Sequence, residues 1–162
     1  SLAEQFPERV AGLILVASSM RPDSQQQKEH KLAAIRLNSK EKFRGLSSMS
    51  ILKTLHPLNA DHKALVKRIQ EMGKKLGYDV FVKQSMLNRD VYNMGKIKCP
   101  TLIISGAQDQ IRSAEEATEL YNQILNARLE TIEHTGHMIP IEQPKILASL
   151  IFNWLKEQNL KL

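Results

Sequence analysis

The chain has little of what marks several large classes of protein. It holds one cysteine, Cys99, in 162 residues, which excludes an internal disulfide and fits a reducing cytoplasm. Aromatic residues make up 5%, too few for the stacking platforms that single-stranded nucleic acid requires. Apolar runs are short. Leu13-Ile-Leu-Val-Ala17 falls well below the roughly 20 residues that span a bilayer, so no membrane partner is expected. No basic-then-apolar secretory signal opens the chain. It does not begin with Met, and its start reads as cut or processed. His56 and His62 flank Pro57 and are read as a solvated pair, because a metal site needs more ligands than two. No metal and no organic cofactor is expected. One further absence concerns chemistry: Gly-x-Ser-x-Gly, the strand-to-helix turn that carries a serine nucleophile, occurs nowhere in the sequence.

What is present is ordinary for a globular protein, with 42% apolar and 25% charged residues. The length suffices for one domain with its own core. The net charge is +6, but the cations are scattered. Lys28, Lys31, Arg36, Lys40, Lys67, Arg68, Lys74 and Lys75 alternate with apolar residues at helical spacing, as solvated faces do. Nucleic acid is therefore not expected as a partner.

The apolar pattern places strands at both ends of the chain. Val10–Ala17 is a near-continuous apolar run, as in a parallel strand buried on both faces. Thr101–Ser105 and Arg128–Ile132 follow the same logic. Between them, Ser113-x-x-Glu116 has the form of a capping box opening a helix to about Leu125. Pro144 suits the first turn of a last helix, whose stripe is Ile146, Leu147, Leu150, Ile151, Trp154 and Leu155. Glu142 is expected to cap that helix, where a negative charge is favourable. Strands alternating with helices imply a parallel sheet with right-handed crossovers. From Gln25 to Gly95 no convincing strand is visible. Leu65, Ile69, Met72 and Leu76 share one helical face that Asn59 or Asp61 would cap. Leu32, Ile35 and Phe43 suggest another helical stretch, broken around Asn38-Ser39, and shorter helices are expected at Ser50–Leu55 and at Asp79–Leu87. Met20, Leu46, Met49, Met86 and Leu87 either face a substrate pocket from the helical block or belong to the core, and neither role is assigned to them; Arg89-Asp90 reads as a structural ion pair. A helical insertion this long is usually functional.

Two loops carry the candidate chemistry. Thr101-Leu-Ile-Ile-Ser-Gly106 runs into Asp109. Thr135-Gly136-His137 follows the third strand. An acid and then a histidine, each past the C-terminal end of a strand, match the last two members of a Ser…Asp…His series. Open α/β sheets hold ligands at that end of their strands. His137 is the candidate base and Asp109 its orienting partner. His134, which lacks a preceding glycine, competes with His137. Ser18 and Ser19 follow the first strand and are candidate substrate contacts.

On these residues the chain resembles the α/β-hydrolase family. Phe6-Pro-Glu-Arg-Val10 leading into Leu13-Ile-Leu-Val16 is similar to the helix and strand after the nucleophile elbow. Cys99-Pro-Thr-Leu-Ile-Ile-Ser-Gly106-x-x-Asp109 is similar to the acid segment, and Gly136-His137-Met-x-x-x-Glu142-x-Pro144 to the histidine segment. The resemblance implies a parallel sheet flanked by helices over residues 1–24 and 96–162, with residues 25–95 as an inserted helical cap. It implies a hydrolase of small carboxylic esters or related acyl compounds, with a small-molecule substrate, whose serine lies upstream of Ser1. The chain alone is then inactive. Lyases, dehalogenases, perhydrolases and acyltransferases share the fold, and a non-catalytic fragment remains an alternative. With the neighbouring strand absent, Val10–Ala17 becomes a sheet edge, and it is expected to be covered by a second copy in a homodimer or by the remaining half of the enzyme.

Overall fold

Thr101-Leu-Ile-Ile-Ser-Gly106 is the central strand of the sheet, and all six of its residues are buried. It belongs to a computed structural model that describes residues 2–59, 61–87 and 93–160. This strand, β2 (Thr101–Gly106), lies between β1 (Leu13–Val16) and β3 (Ala127–Ile132), and both neighbours run parallel to it. Val16 stands opposite Ile104, and Gly106 opposite Ile132. The C-terminal ends of all three strands therefore share one edge of the sheet.

Period-two alternation sends successive β2 side chains to opposite faces. Ile103 enters one core with Ala3, Ile97, Cys99, Ala117, Leu120 and Ile124. Leu102 and Ile104 enter the other with Ile132, Ile139 and Trp154. The first face is packed by α1 (Leu2–Gln5) and α5 (Ala114–Gln123). The second is packed by α6 (Ile139–Glu142) and α7 (Pro144–Glu157), whose Leu147, Leu150, Ile151 and Leu155 form the expected stripe. A parallel sheet covered by helices is thus the architecture. Strand β1 is shorter than the apolar run suggests. All four of its residues are half-buried, because among the described residues it pairs on one side alone.

Residues 1–20, 54–56 and 92–162 form one compact unit and contain the sheet. Residues 21–53 and 57–91 form a second, helical unit. Its elements are α2 (Gln25–Leu37), α3 (Ser48–Leu52) and α4 (Lys63–Ser85). Gly77, at φ 82° and ψ 169°, interrupts α4, so the two helices expected around it are continuous except for that kink. Neither Asn59 nor Asp61 caps α4; His62 does, its Nδ1 accepting from Leu65 N–H at 3.3 Å. A reciprocal capping box occurs at Ser24 and Gln27, opening α2. Phe43, Tyr78 and Phe81 form the aromatic centre of this unit, with Phe43 and Phe81 stacked at 5.0 Å. Leu46, Met49, Met86 and Leu87 are exposed, so none of the four is core. Arg89-Asp90 lies outside the described residues. Among the described residues no helix is long and apolar enough to cross a membrane.

Candidate active site

The loop after β2 and the loop after β3 are joined by backbone hydrogen bonds before any side chain is considered. Ala107 N–H donates to Ile132 O at 2.9 Å, and Gln108 N–H to Thr135 O at 3.0 Å. The Gln108 side chain returns the link, its Oε1 accepting from Thr135 N–H at 3.1 Å. Two glycines permit this approach. A Cβ at Gly106 would stand 2.3 Å from Gly136 O, and one at Gly136 would stand 2.6 Å from the carbonyl carbon of Leu55. Both neighbours are backbone, which cannot swing aside.

Within this frame Asp109 and His137 meet. Asp109 Oδ2 lies 2.9 Å from His137 Nδ1. The other carboxylate oxygen, Oδ1, accepts from Ile111 N–H at 2.7 Å and from Arg112 N–H at 2.9 Å. The Asp109 side chain is fully buried, while that of His137 is 27% exposed. A buried carboxylate held by two amides presents one fixed lone-pair direction to the ring. That selects the tautomer with the proton on Nδ1 and leaves the Nε2 lone pair as a base. Among the described residues Nε2 carries no hydrogen bond.

The histidine loop is fastened by residues 54–56, where His56, expected as half of a solvated pair, is instead buried. His137 N–H donates to Thr54 O at 2.8 Å, and Met138 N–H to the same oxygen at 3.3 Å. Glu142 does not cap α7, whose N-cap residue is Gln143. Its Oε2 accepts from Gly136 N–H at 2.9 Å and its Oε1 from His56 N–H at 2.7 Å. The acid of Gly-His-x-x-x-x-Glu was in plain view, but its second partner lies 86 residues away in sequence.

The other candidates fall elsewhere. His134 adopts φ 54° and sets its ring edge-on to His56 at 5.6 Å between centroids; Asp109 Oδ2 is taken by His137. Ser18 Oγ donates back to Val16 O at 3.1 Å. Ser18 and Ser19 line an apolar cavity of about 290 Å³ with Leu13, Leu15, Ile97 and Leu120, and neither Asp109 nor His137 borders it. Among the described residues no group of three or more His, Cys, Asp or Glu side chains is placed to hold a metal ion.

A parallel sheet with an acid–histidine pair at its C-terminal edge defines the α/β-hydrolase class. The chain belongs to the serine hydrolase (FSH1) family, whose model matches residues 13–148. It is 43% identical over 63 residues to human monoacylglycerol lipase ABHD6, a match covering 39% of this chain and 19% of that protein. It superposes on a thermophilic esterase from Thermogutta terrifontis with a TM-score of 0.83 and 25% identity, covering 96% of this chain and 59% of the esterase. An enol-lactonase from Burkholderia xenovorans LB400 gives a TM-score of 0.80 at 16% identity, covering 96% of this chain and 60% of that one; that likeness is one of fold. The chain thus spans about three fifths of these solved structures.

Proposed function

We propose that Asp109 and His137 are the acid and base of a Ser-His-Asp hydrolase of small carboxylic esters or related acyl compounds, with the serine supplied by polypeptide outside this chain. The observation that carries this reading is the 2.9 Å contact between a fully buried carboxylate and Nδ1 of a partly exposed imidazole. The family assignment and the likeness to a lipase and an esterase support the same chemistry.

In this mechanism His137 Nε2 accepts the serine proton as the hydroxyl oxygen attacks the acyl carbon. Asp109 stabilises the imidazolium through Nδ1–H. His137 then returns the proton to the leaving alkoxide. Water, deprotonated by the same nitrogen, cleaves the acyl-enzyme. The helical block, residues 25–95, is the proposed cap. Ser18 and Ser19 have no step in this mechanism. Since Gly-x-Ser-x-Gly is missing from the chain, the 162-residue polypeptide alone turns over no ester.

The test is hydrolysis of short-chain aryl esters by the protein carrying its elbow serine, against His137→Ala in the same background. A loss of at least ~10³-fold in kcat is expected. Retained turnover in the variant eliminates the role given to His137.

A further inference from the structure

Glu142 occupies a place that a helix cap would not. One carboxylate oxygen receives the amide of Gly136, the residue before His137; the other receives the amide of His56. His56 is itself buried. Thr54, two residues earlier, accepts the amides of His137 and Met138. The histidine loop and residues 54–56 are therefore joined at four backbone N–H groups, two by a peptide carbonyl and two by one side chain. At Gly136 the two backbones touch so closely that a methyl group would overlap. Hydrogen bonds donated to a carboxylate are the stronger kind. Removing the carboxylate would leave two amides in a crowded, partly dry site without that acceptor.

We infer that Glu142 is a positioning residue for His137: its carboxylate clamps residues 54–56 to Gly136 and so sets the height at which the imidazole meets Asp109 and the serine. The inference rests on the catalytic reading given above. It also gives residues 54–56 a task. They are flanked in sequence by residues 21–53 and 57–91, which form the helical unit, yet they group with the sheet. Glu142 and Thr54 O fasten this crossing of the chain to the catalytic loop. Glutamine cannot replace the acid, because its amide N–H₂ would face one of the two N–H donors.

The experiment compares Glu142→Gln, Glu142→Asp and His137→Ala in the serine-bearing protein, with kcat, KM and the pH profile of kcat/KM on an aryl ester. For Glu142→Gln, kcat should fall by about 10²-fold, the effect of a ~1 Å misplacement, with KM changed less than about twofold. The ascending limb of the pH profile, which reports the base, should shift. Glu142→Asp, which keeps the charge on a shorter arm, should recover part of kcat. Wild-type kcat and an unshifted profile in Glu142→Gln, with His137→Ala inactive, overturn the positioning role alone. Wild-type turnover in His137→Ala overturns the catalytic reading beneath it. If Glu142→Gln does not fold, Glu142→Asp decides: a lowered kcat at unchanged KM supports the clamp, and wild-type kcat removes it.

Discussion

At Gly106 and Gly136 one added carbon has nowhere to go. Gly106→Ala would press a methyl group against the carbonyl oxygens of Gly136 and Thr135, at 2.3 and 2.6 Å. Such overpacking typically costs about 1–3 kcal/mol, and backbone neighbours put it at the upper end. The expected outcome is a lowered thermal midpoint together with lost activity, since the displaced loop carries His137. An unchanged midpoint would mean that the two loops are looser than described. His134 behaves differently. Its ring packs on His56 and not on Asp109, so His134→Gln should leave kcat within a few-fold of wild type. A collapse of kcat comparable to that of His137→Ala would reassign the base.

At the scale of elements, β2 carries the sheet. Ile103 and Leu102 are 1% and 0% exposed on opposite faces, and truncating either to Ala should cost about 2–5 kcal/mol in denaturant unfolding. Ser113 Oγ accepts from Glu116 N–H at 3.4 Å, so Ser113→Ala should cost about 1 kcal/mol. A value near zero would show that Ser113 contributes no cap. The same elements show what the residues alone reveal. Thr101-Leu-Ile-Ile-Ser-Gly is legible as a buried strand because its apolar run is bounded by Pro100 and Gly106. Asp109 and His137 stand out because each follows a strand end and a glycine. The cap of α4 is not legible: a histidine nitrogen serves where Ser, Thr, Asp or Asn is the ordinary choice. Nor is the clamp at Glu142. Local rules assign an acid at that spot to the nearest helix, whereas the amide of His56 reaches it through the tertiary fold. The glycines could be read as turn formers; that they are needed for space, against backbone from another segment, emerges only when the segments are packed.

At the scale of the whole molecule, β1 leaves one edge unpaired among the described residues. Open N–H and C=O groups on an apolar, half-buried strand invite pairing. The isolated 162-residue chain is expected to associate through Leu13–Val16 as a two-fold dimer, measured by light scattering after size exclusion. Ile14→Pro should weaken the association, since the amides of Leu13 and Ala17 donate to β2 and, with a period of two, that of Ile14 faces the open edge; a monodisperse monomer at micromolar concentration would contradict it. The proposed catalysis joins all three scales, because Asp109 and His137 sit on loops that follow β2 and β3 and meet at 2.9 Å. The most direct measurement is kcat/KM on a short-chain aryl ester for Asp109→Asn, His137→Ala and the double variant in the serine-bearing protein. If carboxylate and imidazole act as one unit, each single change removes most of the rate, Asp109→Asn by up to about 10⁴-fold, and the double variant is no slower than His137→Ala. Losses that simply multiply, or turnover that survives either change, would contradict the pairing on which the function rests.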